Sequence, residues 1–132
     1  MKRTMILKGK VVSGAGQGAF FTRVEWVQQQ CNKKLGFKPY PGTLNLEISE
    51  DDLPLIESLD REKGIELISP DPEFCNGKAF PISLGEISAA IIMPEAKVRV
   101  HPQNIIEVIA PLNIKAALDV KDGDTVTVAL IP

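Results

Sequence analysis

Apolar residues near the start of the chain follow a helical spacing. Intervals of three and four are those of one face of an α-helix, and they separate Val24, Val27, Cys31 and Leu35. Thr22 stands three residues before Glu25, which is the spacing of a capping box, and Gly36 is placed to end the helix. The pattern predicts one well-formed helix between these two signals.

Elsewhere the apolar residues fall in short or alternating runs interrupted by Pro and Gly, a pattern typical of strands. The predicted strands cover residues 5–13, 43–48, 65–69, 78–84, 89–93, 97–100, 105–110 and 125–131. Two shorter helices are predicted, one behind Ser49 that ends at Gly64 and one around 112–118. Asp122-Gly123 is a hairpin-type turn that leads into the last strand.

Many short strands with frequent turns, and one helix that crosses over between the first two, predict a mainly β fold. A small closed six-stranded barrel with one main crossover helix and one or two short helices fits best, because closure removes exposed sheet edges. A chain of 132 residues has the usual size of one domain, so residues 1–132 are expected to form a single barrel domain.

Composition and charge narrow the classes of function. No apolar run is long enough to span a bilayer and the N-terminus lacks a signal-peptide pattern, so we expect a cytoplasmic protein without a membrane partner. The net charge of −2 argues against a nucleic-acid partner. Residues 1–50 nevertheless carry eight Lys/Arg against three Asp/Glu. A small anion would therefore bind more favourably to this segment than to the acidic residues 51–132.

The cysteines and the histidine exclude two kinds of site. Cys31 and Cys75 lie far apart without a Cys or His nearby, and His101 is the only histidine, so neither a zinc site nor a Ser-His-Asp triad is expected. Two buried free thiols are the simplest interpretation of the cysteines.

A glycine-rich loop precedes the main helix, with glycine at every second position in Gly14, Gly16 and Gly18. Such a loop lets successive backbone N–H groups turn toward one anion, and the helix N-terminus behind it favours the same charge. It is neither a Walker A loop nor a dinucleotide-binding fingerprint. A flexible strand-to-helix connection is the alternative.

The segment KPYPGTLNL places an asparagine in a predicted strand, where this residue type is depleted. Residues two apart on a strand face the same side, so Leu44 and Leu46 can enter the core while Thr43 and Asn45 point together into a cleft. A hydroxyl and an amide carbonyl could bind magnesium, which in phosphoryl-transfer sites takes few protein ligands. Alternatively, Asn45 bonds to a nearby backbone group.

Glu107 stands among aliphatic residues in IIEVIAP. An acid in an apolar strand must face water, a partner or a ligand. In a pocket it could bind the polar edge of a ring or act as a base; on the outer surface it would be solvated.

These segments occur together and in this order in one family. The chain resembles the archaeal-type CTP-dependent riboflavin kinases through GKVVSGAGQGAFF, LGFKPYPGTLNLEI, IIEVIAP and VKDGDTVTV, over nearly its whole length. The most specific match is LGFKPYPGTLNL, and the middle of the chain, about residues 50–97, matches poorly. The resemblance implies a cradle-loop β-barrel that phosphorylates riboflavin to flavin mononucleotide (FMN), with CTP as donor and CDP as the second product.

The resemblance also implies roles for particular residues. The loop residues Gly14, Ala15, Gly16, Gln17, Gly18, Ala19 and Phe20 would cradle the nucleotide phosphates. Leu112, Asn113, Ile114 and Lys115 would contact the cytidine half. Thr43 and Asn45 would hold Mg²⁺, and Glu107 and Arg99 would lie at the flavin. The catalytic base is not identified, with Glu107 as a candidate.

Three segments depart from the family pattern. Ala15 and Gln17 replace a usual Leu and Glu, and Arg99 stands where a flavin-contacting Thr is typical. Lys115 replaces an Arg and retains the charge without the bidentate fork. A catalytically weak or inactive nucleotide- or flavin-binding regulatory barrel is therefore the alternative function, and a nucleic-acid-binding barrel is a third hypothesis that the acidic second half disfavours.

Overall fold

The computed structural model describes residues 5–13, 24–62, 64–70, 76–94 and 104–131. The strands are β1 (Met5–Val12), β2 (Leu44–Ile48), β3 (Ile65–Leu67), β4 (Gly77–Leu84), β5 (Ile87–Pro94), β6 (Ile105–Ile109) and β7 (Thr125–Leu130). The helices are α1 (Glu25–Lys34), α2 (Leu53–Arg61) and α3 (Ile114–Leu118), with a 3₁₀ turn (Glu50–Asp52) before α2.

Six strands close into an antiparallel barrel in the order β4, β5, β6, β2, β1, β7 and back to β4. The closing pairs are Ile82 with Leu130 and Ser83 with Ala129. The short strand β3 pairs with the first half of β4 and stands outside the ring. The predicted six-stranded barrel with one main crossover helix and short additional helices is confirmed.

Strand β4 changes partners at Pro81. Residues 77–79 pair with β3, whereas Ile82 and Ser83 pair with β7 on the same edge. Pro81 lies at the change of partner and has no N–H to leave unpaired there, while its carbonyl accepts from Ile131 N at 3.1 Å.

The barrel interior is the main hydrophobic core, and Leu44, Leu46 and Ile48 of β2 all contribute to it. Gly9 of β1 is needed at this place, because a Cβ atom there would lie 2.7 Å from the Cβ atom of Leu46. The close approach of β1 to β2 sets the register in which Val12 lies opposite Asn45.

A second apolar cluster lies outside the barrel, where α1 packs Val27 and Cys31 against β3, β4, β5 and β6. Burial raises the pKa of the Cys31 thiol to about 11, so at neutral pH this cysteine is a protonated, unreactive core residue. Gln30 side-chain atoms exchange two hydrogen bonds with the backbone of Ile68, at 2.5 and 2.8 Å. Helix α1 is therefore fixed to β3 and to the barrel wall.

Within the described residues, the predicted elements correspond to observed ones, with shifted ends. Helix α1 begins at Glu25 with Val24 in the N-cap position and no side-chain cap, so the capping box predicted from Thr22 is not how this helix starts. Gly36 ends it in the left-handed region, with φ of 84°. The predicted strand at 97–100 and Cys75 lie outside the described residues.

Helix α2 ends at Arg61, earlier than predicted, and α3 begins at Ile114. The turn at Asp122-Gly123 does precede the last strand, but it connects α3 to β7 and is not a β-hairpin. None of the helices in the described ranges is long and apolar enough to cross a membrane.

Candidate functional site

The turn before β2 is held from two sides. Gln28 Nε2 of α1 donates to the Pro39 carbonyl at 2.8 Å, and Tyr40 N donates to the carbonyl of Ala110, just after β6, at 2.7 Å. Gly42 takes φ of 129°, a conformation that side chains rarely allow. The rigid turn therefore fixes where β2 starts relative to α1 and β6.

Asn45 is buried on the outer side of β2, while its neighbours Leu44 and Leu46 enter the barrel core. Its side chain is 7% exposed, and within the described residues Oδ1 has no hydrogen-bond partner. Leaving a buried amide oxygen unpaired costs about 1–3 kcal/mol. The alternative in which this oxygen bonds to a nearby backbone group is thus not supported within the described ranges.

Glu107 lies directly beside this asparagine. Antiparallel pairing of β2 with β6 sets Asn45 opposite Glu107, and Thr43 Oγ1 donates to Glu107 Oε1 at 3.3 Å. The sequence alone suggested that Thr43 and Asn45 share a side, and the structure adds the acid from the neighbouring strand. We call Thr43, Asn45 and Glu107 the polar edge.

A pocket of about 190 Å³ opens beside the polar edge, and Thr43 is common to both. It lies between the turn before β2 and the segment from the end of β6 to α3. Its lining consists of Tyr40, Pro41, Gly42, Thr43, Leu44, Ala110, Leu112, Asn113, Ile114 and Lys115. The pocket thus unites the segment predicted to bind cytidine with one of the two predicted magnesium ligands.

Helix α3 presents its first residues to this pocket. Asn113 caps the helix, since its Oδ1 accepts from Ala116 N at 3.2 Å, and Ile114 anchors it in the barrel core. Lys115 Nζ pairs with Asp122 Oδ1 at 3.0 Å. This arrangement gives the pocket rim an ion-paired ammonium group and several polar groups.

Asp122 has a second donor, Ser13 Oγ, at 2.5 Å from Oδ2. The hydrogen bond from Ser13, followed by that from Lys115, holds the pKa of the Asp122 carboxyl below its usual value. Neither Ser13 nor Asp122 was assigned a role in the site from the sequence, where Asp122 was expected only to form a turn. Their partnership spans 109 positions and leaves no local signal.

The remaining predicted site residues lie outside the described residues, namely Gly14 to Phe20 and Arg99. Val12, two residues before this loop, is paired with Asn45 in the β1–β2 ladder. The end of β1, from which the chain continues into residues 14–20, therefore lies beside the polar edge.

The polar edge fits a magnesium ion in its donor chemistry. Asn45 Oδ1 is a neutral, buried oxygen without a hydrogen-bond partner in the described ranges, and Thr43 supplies a hydroxyl oxygen on the same side. Oxygen ligands of this hard type suit Mg²⁺, which usually retains waters and substrate phosphates beside one or two protein ligands. A metal at this edge would give the buried oxygen of Asn45 the partner it lacks.

Comparison with known proteins identifies relatives over almost the whole chain. The family model CTP-dep_RFKase, described as domain of unknown function DUF120, matches residues 11–130. A riboflavin kinase of Pyrobaculum aerophilum is 39% identical over 95% of this chain, and one of Archaeoglobus fulgidus is 40% identical over 97%. The chain spans 60% and 55% of the lengths of these two relatives. It is 37% identical to a riboflavin kinase of Ignicoccus hospitalis and spans 72% of that protein.

Proposed function

The chain belongs to the CTP-dependent riboflavin kinase family, and from that premise we propose that it transfers the γ-phosphate of CTP to the 5′-hydroxyl of riboflavin. The products would be FMN and CDP. The observation that carries the proposal is the junction of the polar edge with the pocket at Thr43. It brings the two predicted metal ligands, an acid and the predicted cytidine segment together.

Each part of the site would have a separate task in this reaction. The pocket would bind the cytidine half against residues 112–115, and the loop 14–20 would hold the phosphates. Thr43 and Asn45 would hold Mg²⁺, which when bound supplies charge neutralisation on the phosphates. Positioning and charge neutralisation contribute most of the rate in phosphoryl transfer.

Glu107 would face the acceptor substrate. During transfer, the bond from the ribityl oxygen to the γ-phosphorus forms while the bond from that phosphorus to the β,γ-bridging oxygen breaks. The hydroxyl proton must then leave, and Glu107 is the carboxylate that the polar edge offers as its acceptor. The same carboxylate could accept a hydrogen bond from a polar group of riboflavin.

The reaction itself is tested by incubating the purified chain with riboflavin, Mg²⁺ and CTP and separating the flavins by chromatography. We expect FMN and CDP in equal amounts and no FMN without the nucleotide. Tight binding of both substrates without FMN would refute the kinase proposal and favour a regulatory, ligand-binding barrel.

Replacing Glu107 by Gln should weaken riboflavin binding more than CDP binding. The change retains the shape of the side chain but removes its charge, and hydrogen bonds to charged groups contribute about 1.5–3 kcal/mol. We therefore expect riboflavin affinity to fall about tenfold or more. Fluorescence titration with riboflavin and calorimetric titration with CDP measure the two affinities separately.

Glu47→Gln is the matched control, because Glu47 is an exposed glutamate two residues after Asn45 on the same strand. It should leave both affinities unchanged. If Glu107→Gln lowers CDP affinity and spares riboflavin, then Glu107 serves the nucleotide half of the site.

A further inference from the structure

Asp122 connects two parts of the candidate site that are far apart in sequence. Its two carboxylate oxygens have different partners, Ser13 Oγ on one and Lys115 Nζ on the other. Ser13 is the last described residue before the loop 14–20, and Lys115 lines the pocket. We call Ser13, Asp122 and Lys115 the clasp.

The backbone around Asp122 is fixed to the end of β1. Gly123 N donates to the Val11 carbonyl and Val11 N donates to the Asp124 carbonyl, both at 2.8 Å. Within the turn, Lys121 N donates to the Asp124 carboxylate at 2.9 Å, and Gly123 has φ of 96°. The backbone that carries the Asp122 carboxylate is therefore fixed to β1 through the next two residues, Gly123 and Asp124.

Lys115 forms the other arm of the clasp, with a flexible side chain on a helix whose end is fixed by backbone hydrogen bonds. Val120 N donates to the Lys115 carbonyl at 3.0 Å, and Asp119 closes α3 in the left-handed region with φ of 54°. The Lys115 side chain has four rotatable bonds, and an unrestrained lysine loses much of its rotamer freedom when it binds a ligand. Pairing with Asp122 restricts that freedom before any ligand arrives.

We propose that Asp122 is a positioning residue for the nucleotide, which holds Lys115 at the pocket rim and is itself held by the hydroxyl of Ser13. The inference rests on the proposed function, because it takes the occupant of the pocket to be a cytidine nucleotide. Asp122 would not touch the nucleotide. Its carboxylate already accepts hydrogen bonds from the Lys115 ammonium and the Ser13 hydroxyl. A carboxylate placed directly against the phosphates would repel them. Restricting binding groups before the ligand arrives increases affinity by lowering the entropy lost on binding.

The test is a set of CDP titrations by calorimetry on the full chain, with melting temperatures measured alongside. Asp122→Asn keeps the size of the side chain but removes the ion pair. Because Lys115 and Asp122 are about half exposed, the pair is of the weak surface kind, and we expect CDP affinity to fall about two- to fivefold. Riboflavin affinity should not change.

Asp124→Asn is the matched control. It makes the same charge change two residues away, and the asparagine oxygen can still accept from Lys121 N, a bond that lies within the turn and not at Lys115. An equal loss of CDP affinity in this control would mean that general electrostatics, and not the clasp, is responsible, and would overturn the inference.

A double-mutant cycle separates positioning from mere stability. Lys115→Met should weaken CDP binding, and adding Asp122→Asn to it should weaken binding no further, because Asp122 acts through Lys115. Additive losses, or an Asp122→Asn variant that melts lower but binds CDP normally, would contradict the proposal. If Asp122→Asn melts too low to titrate, Ser13→Ala removes one arm alone and should give the smaller loss of CDP affinity.

The outcomes distinguish this inference from the proposed function. A chain that binds CDP with the predicted coupling but forms no FMN refutes the kinase and supports the clasp. A chain that binds no CDP overturns the clasp as a nucleotide-positioning device.

Discussion

Asn45→Leu and Thr43→Val should each lower FMN formation by about two to three orders of magnitude, because the electrostatic stabilisation that a bound metal supplies is worth several kcal/mol. Leucine removes a buried oxygen that has no hydrogen-bond partner in the described ranges, so stability should be equal or higher. Valine keeps the volume and β-branching of Thr43 but removes the hydroxyl that donates to Glu107. Thermal melts and initial rates on both variants separate loss of fold from loss of function.

Asn45→Asp and Thr43→Ser are the controls, since each retains an oxygen ligand at the same position. They should keep far more activity than Leu and Val do, and raising Mg²⁺ should rescue the Leu and Val variants only in part. Variants that stay active and magnesium-dependent after losing the oxygen would place the ion elsewhere and leave Asn45 as an unexplained polar residue in a strand.

CTP should exceed ATP as phosphate donor by about ten- to a hundredfold in kcat/KM, the loss expected when one or two hydrogen bonds of the base to the pocket are not made. The pocket beside Thr43 is small, at about 190 Å³, and polar groups from Asn113 and Lys115 line it. A purine is larger than a pyrimidine and presents different hydrogen-bonding groups to them.

Initial rates with CTP, UTP, ATP and GTP, each at the same Mg²⁺ concentration, measure this preference. UTP is the informative control, because it has the ring size of CTP and differs at the base edge. Equal or higher rates with ATP would contradict the assignment of residues 112–115 to a cytidine.

Local sequence patterns were sufficient to predict those features that depend on residues close together in the chain. The spacing of Val27 and Cys31 predicted the buried face of α1, Gly36 predicted its end, and the alternation around Asn45 predicted which side of β2 faces the core. The predicted start of α1 was wrong, because Val24 occupies the N-cap position and offers no side-chain acceptor. A capping-box spacing favours a start but does not compel one.

The two-residue turn between β4 and β5 was also missed. Gly85 has φ of 62°, and Leu84 pairs with Ile87 across the turn, so β5 begins two residues earlier than predicted. Gly-Glu is a weaker hairpin signal than Asn-Gly or Asp-Gly. Pairing across the turn, and not the local residue types, extends this strand.

The site depends on pairings that no local pattern contains. Asn45 meets Glu107 through the β2–β6 register, and Asp122 meets Ser13 across almost the length of the chain. Register is decided by the whole barrel closing around its core. The residue types could therefore suggest Thr43 and Asn45 as partners, but not that Glu107 joins them or that Lys115 is held by Asp122.

We expect the polar edge to hold a divalent metal next to a bound cytidine nucleotide. The most direct measurement replaces Mg²⁺ by paramagnetic Mn²⁺ in the presence of CDP and records the broadening of backbone amide resonances by NMR. We expect the strongest broadening at Thr43, Asn45 and Glu107, and its loss in Asn45→Leu at the same Mn²⁺ concentration. Broadening centred on another part of the barrel, or unchanged in Asn45→Leu, would contradict the account.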